Sequence, residues 1–101
     1  MSGTVTMTIF IKKLSDTGFE VSINDNISTT HIVTLSDETY QKFTNGKITK
    51  EELITFSFKF LLDREPNTSI LSKFELPIIS KYFPEYDIIV KQWLGRTFRH
   101  R

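Results

Sequence analysis

His31 and His100 are the only imidazoles in a chain of 101 residues that contains no cysteine. That inventory narrows the chemistry. Without cysteine there is no disulfide, thiolate nucleophile or thiolate metal site, and two histidines alone make a poor zinc set. Nucleophilic catalysis needs an activating base held beside Ser or Thr. His100 is the penultimate residue, where a chain end frays; His31 shares a strand face with Val33 and Leu35 and reads as a structural histidine. The glycines Gly3, Gly18, Gly46 and Gly95 are isolated, so no glycine-rich phosphate loop forms. Glu51 with Glu52, and Glu85 with Asp87, fall in expected first turns of helices, where the macrodipole accounts for them. The expectation is therefore no catalytic residue, no metal and no cofactor.

Two groups remain. Arg64, Glu65 and Pro66, with Asp63 before them, place a charge cluster at the end of a helix and at the start of a proline turn. Bidentate pairing there would lock a chain reversal, and Pro84, Glu85 and Tyr86 form a second corner of the same kind. The other group is the basic aromatic end: Lys91, Trp93, Arg96, Phe98, Arg99 and Arg101. Its rings could stack on single-stranded nucleic acid while its cations neutralise phosphates, or the segment could lie on an anionic surface. Four phosphate contacts give a salt slope of only about −3 to −4, and cations at an anionic membrane contribute about 1 kcal/mol each. Neither holds a stable complex alone. The competing reading is a helix C-terminus whose cations complement the dipole and which ends on Gly95 as a cap.

The elements that must position these groups change character along the chain. Val5, Met7, Ile9 and Ile11 alternate with polar or outward residues, Phe19, Val21 and Ile23 do the same, and Thr30 to Leu35 makes a third run. Ser15-Asp16-Thr17-Gly18 and Asp25-Asn26 supply the turns, which predicts a three-stranded antiparallel meander. From Ser36 the signals are helical. Ser36 caps Asp37 to Phe43, and Asn45-Gly46 stops it. Thr49 and Glu52 form a capping box, with Ile48 and Leu53 as its staple. The helix that follows is apolar nearly all round, which predicts a central position in the core. Pro66 ends it. Thr68 or Ser69 is expected to cap a helical turn through Ile70, Leu71 and Phe74, and Pro77 and Pro84 to open helices near 77 to 82 and 84 to 94.

Hydrophobic residues at 39 %, charged residues at 25 % and aromatics at 13 % describe an ordinary folded chain. The expected architecture is one α+β domain over residues 1 to 94, an N-terminal three-stranded meander packed against a helical C-terminal two-thirds, with a short basic tail at 95 to 101. No run approaches 18 apolar residues, and Met1-Ser2-Gly3-Thr4 lacks the features of a secretory signal. This predicts no membrane span and a cytoplasmic location. The overall charge of +1 is a cancellation. Residues 1 to 90 carry nine basic and twelve acidic groups, whereas residues 91 to 101 carry four basic groups and no acid.

Two resemblances add to this reading. His31 to Tyr40 resembles the strand and first helix of the ribbon-helix-helix DNA-binding family, and Lys50-Glu51-Glu52-Leu53-Ile54 resembles the opening of its second helix. The stretch between Ser36 and Glu51 is about one turn short of that family, and Thr30, Ile32 and Thr34 offer no base-reading Arg or Asn. A second pattern covers roughly residues 31 to 86. Glu51-Glu52-Leu53, the run Phe60-Leu61-Leu62-Asp63-Arg64-Glu65-Pro66-Asn67-Thr68-Ser69-Ile70-Leu71, then Phe74, Leu76, Ile79 and Tyr82-Phe83-Pro84-Glu85-Tyr86 resemble a group of short uncharacterised bacterial proteins. That resemblance implies a bacterial source and a shared fold; it brings no activity, cofactor or catalytic residue. The functional expectation is a non-catalytic protein-interaction module whose partner is another protein or a second copy in a homodimer. The alternative is a weak nucleic-acid binder or regulator that uses the basic aromatic tail.

Overall fold

Alternating apolar residues build the first layer. A computed structural model of the chain describes residues 8 to 97, so Val5 and Met7 lie outside the described residues. Strands β1 (Thr8–Lys13), β2 (Gly18–Asn24) and β3 (Thr29–Thr34) pair antiparallel in order, with Ile11 opposite Val21, Val21 opposite His31 and Phe19 opposite Val33. The turn between the first two is held by Ser15, whose Oγ accepts from the Gly18 N–H at 2.9 Å. Phe19, Val21, Ile23 and Val33 are fully buried on one face. The opposite face, with Phe10, Lys12 and Thr30, is exposed.

Helix α1 (Asp37–Thr44) begins where the Ser36 hydroxyl accepts from the Thr39 N–H, and ends where Asn45 and Gly46 take the left-handed conformation at φ 53° and 74°. A side chain at Gly46 would be strained in that conformation. Helix α2 (Lys50–Leu62) opens with the reciprocal box: the Glu52 N–H donates to Thr49 Oγ1 at 3.0 Å, and the Thr49 N–H donates to Glu52 Oε1 at 2.8 Å. Lys50 at its start donates to the Asp16 carbonyl at 2.6 Å and to Asp37 at 2.5 Å, tying the first hairpin to α1.

The segment after Pro66 departs from the expected helical turn. Asn67–Ser69 makes one 3-10 turn, and Lys73–Glu75 then forms strand β4, parallel to β3, with Val33 opposite Phe74. The sheet therefore has four strands in the order β1-β2-β3-β4 and is mixed, not a three-stranded antiparallel meander. Long-range bonds decide this. The Ile32 N–H donates to the Ser72 carbonyl at 2.8 Å and the Leu76 N–H to the Thr34 carbonyl at 2.9 Å, a tertiary pairing that outweighs weak local propensity. A parallel neighbour needs a long crossover, which α1 and α2 supply.

Helices α3 (Ile78–Tyr82) and α4 (Tyr86–Thr97) follow Pro77 and Pro84. Gly95 lies inside α4 and is not its cap; a Cβ there would meet nothing within 4 Å. The class is α+β, with helices against one face of the sheet. No helix among the described residues is long and apolar enough to cross a membrane.

Helix α2 is buried on two sides. Its Phe58 ring lies 5.6 Å from His31 and 6.0 Å from Phe74 on the sheet, while Phe60 lies 5.1 Å from Tyr86 and 5.8 Å from Phe83. Ser57 donates to the Leu53 carbonyl at 2.7 Å, so its only proton is committed and Tyr86 must be the donor in their 2.5 Å contact. Burial pushes the Tyr86 phenol well above its ordinary value, with a smaller push from the charge of Asp87. Above the ordinary phenol range near pH ~10 the unfolded chain loses a proton that the folded chain keeps, so stability falls as pH rises. In an ultraviolet titration Tyr86 should ionise only as the chain unfolds, and Tyr86→Phe should remove its part of that alkaline slope.

Candidate interaction groove

The stretch from Asp63 to Tyr86 reverses the chain twice, and both corners meet. Arg64 at the end of α2 donates from Nε to Glu85 Oε2 at 3.2 Å and from Nη1 to the Phe60 carbonyl at 3.1 Å, with its guanidinium carbon 3.7 Å from the centre of the Phe60 ring. The pairing therefore crosses from one proline corner to the other, and no ion pair to Asp63 or Glu65 occurs among the described residues. The contact with Glu85 is through one nitrogen, not a fork. Pro66 precedes the 3-10 turn, Pro84 precedes α4, and Tyr86 is fully buried.

The other anchor is polar and buried. Asn67 Nδ2 donates to the Ile27 carbonyl at 2.7 Å and to Thr29 Oγ1 at 3.0 Å. Thr29 Oγ1 lies 2.9 Å from His31 Nε2, and His31 Nδ1 lies 2.7 Å from the Leu71 carbonyl. The carbonyl can only accept, so Nδ1 carries the proton, and for the neutral ring the Thr29 hydroxyl donates to Nε2. This chain of bonds straps residues 67 to 71 against β3. His31 is thus a structural tie: Thr29, the one hydroxyl it meets, is held in turn by Asn67, and its other nitrogen is committed to the Leu71 carbonyl.

Between these anchors runs a groove of about 340 Å³. Leu61 from α2, Ile70, Leu71 and Phe74 from the strapped segment, and Ile79 and Tyr82 from α3 form its walls. Leu71 is 47 % exposed and Tyr82 63 %, so the rim offers large apolar groups to solvent. Among the described residues, Glu65 is the one carboxylate that lines the groove. Its volume lies at the small end of the range for ligand pockets. No group of three or more carboxylates or imidazoles among the described residues is placed to hold a metal ion.

The predicted tail residues divide. Lys91 is exposed on α4, and Trp93 is half-buried, its ring stacked on Phe56 at 4.2 Å and 11°. One face of the indole is thereby occupied, and a neighbouring hollow of about 310 Å³ is bordered by Glu51 and Glu52 as well as Lys59, a poor setting for phosphates. Arg96 belongs to the backbone of α4, but its side chain, like Phe98, Arg99 and Arg101, lies outside the described residues. Sequence reasoning did not single out Asn67, Leu71 or Tyr82 as a unit. The only available signal was apolar residues crowded between three prolines.

Searches against protein-family models, curated proteins and solved structures gave no match to this chain.

Two outcomes follow from the anchors. Asn67→Ala leaves the Ile27 carbonyl and the Thr29 hydroxyl short of a partner and should lower unfolding stability by about 1–3 kcal/mol, read from a urea midpoint. The Glu85 carboxyl is held below its ordinary value, first by its own backbone N–H and then by Arg64. Its stabilisation is present above the unfolded carboxylate range and is lost as pH falls through the lower folded value. The stability gap between the protein and Glu85→Gln should therefore close on acidification below about pH 4.

Proposed function

We propose that this chain is a non-catalytic protein-interaction module of the cytoplasm, akin to the short bacterial proteins whose pattern it resembles, and that it engages partners through the groove between the strapped segment and α3. The observation that carries this reading is the exposed apolar rim, Leu71 and Tyr82, over a preformed groove with anchored walls. Apolar side chains gathered around a concavity are what interfaces bury, and tyrosine is favoured among residues that dominate binding. The groove lacks the convergent titratable groups that acid–base or nucleophilic chemistry requires, since Glu65 is its single ionisable acid.

The test is paired capture. The immobilised full chain should retain a defined protein, either from lysate or as added soluble copies of itself, and the double variant Leu71→Ser with Tyr82→Ser should lose it at least about tenfold, as expected for removing two apolar anchors. Circular dichroism should stay close to the parent, because both side chains are rim groups. Equal capture by parent and variant would overturn the proposal.

A further inference from the structure

Among the described residues nothing pairs with the outer edge of β4, which adjoins this groove, and its backbone specifies what fits there. Residues on a parallel strand point both their N–H and C=O to the same side, alternating along the chain. Ser72 and Leu76 face β3, as their bonds to Ile32 and Thr34 show. Phe74, two residues from each, faces β3 as well. Lys73 and Glu75 therefore direct their N–H and C=O groups away from the sheet, on a strand that ends the order β1-β2-β3-β4. Their side chains stand on the face opposite the buried Phe74, both are exposed, and neither forms an ion pair among the described residues.

This pattern is self-complementary. An antiparallel two-fold pairing centred on Phe74 sets Lys73 opposite Glu75 of the second copy and Glu75 opposite its Lys73. Those are the residues whose backbone groups point outward, so the same register that makes four main-chain hydrogen bonds also makes two cross-strand charge pairs. The Phe74 residues meet on the axis as a non-hydrogen-bonded pair. Each copy of Leu71 and Tyr82 is then brought toward the other's groove. The other edge strand among the described residues, β1, carries only Lys12 and Lys13 as charges and has no such complement, the arrangement by which natural edges resist pairing.

We infer that the partner at this surface is a second copy of the chain, joined edge to edge through β4 in a two-fold antiparallel register that continues the sheet across both protomers. The inference rests on the interaction reading above and names its occupant. Three residues of edge are too few to hold a dimer; a specific interface buries at least about 1,000 Å². The apolar rims supply the remainder, which is why the edge and the groove lie together. An isologous contact of this kind closes at two copies.

Light scattering of the full chain over a concentration series reads the result. The parent should run as a dimer. Lys73→Glu sets two pairs of acids against each other and Glu75→Lys two pairs of lysines, and each should weaken the dimer by about tenfold or more. Combining the two substitutions restores opposite charges in reversed order and should restore the dimer. Melting of each variant at a concentration where it is monomeric controls for folding. A parent that stays monomeric, a dimer indifferent to either single substitution, or a double variant no better than the singles overturns the inference. Groove-dependent capture of a different protein by a monomeric parent would overturn it while leaving the interaction reading in place; loss of both would remove the two together.

Discussion

Helix α2 carries apolar side chains on two sides and leaves only Glu51, Glu52 and Lys59 fully at the surface, so each apolar side needs its own cover. Phe58 requires a sheet, Phe60 requires the α3–α4 corner, and Phe56 requires Trp93. The rest of the molecule is arranged as the answer to that demand. No alanine is available to stabilise helices through propensity alone, so packing around this one element has to do the work. Its polar exceptions are placed accordingly: Ser57 sits where the helix meets Tyr86, and its hydroxyl is satisfied on both sides.

The groove follows from the same constraint. Covering the far end of α2 takes a chain reversal, a return strand and a second reversal within a short stretch of sequence, and such a path leaves gaps. Two fasteners keep the path in place without filling the gap. Arg64 and Glu85 join its two corners at the surface, while Asn67, Thr29 and His31 fix its middle in the interior. A concavity whose walls are fixed in this way loses little conformational freedom when something enters it.

Much of the scaffold was legible in residue order. The alternation through Ile9, Val21 and Val33, the Thr49 and Glu52 box, and the Asn45-Gly46 stop each carry their physical cause locally, and the structure follows them. What escaped is what depends on distant partners. Lys73–Glu75 is too short to show a period, and it becomes a strand only because Ile32 and Thr34 offer it bonds. Asn67 reads as a residue after a proline turn, yet its role is to satisfy Ile27 and Thr29 some forty positions earlier. Gly95 carries the usual helix-stopping signal, but the helix runs past it because nothing crowds it and residues on either side continue the turn. Arg64 was placed at the right corner, and its partner came from the other one.

The crossover between β3 and β4 has a consequence for the order of events in folding. The first three strands join through short turns and can zip locally, whereas β4 cannot find its register until α1 and α2 have been laid down between it and Thr34. Closing so long a connection costs chain entropy before any contact rewards it. The β4 edge therefore exists only where the four-stranded sheet is complete. A surface with that history reports completion: whatever recognises it recognises only molecules that have finished.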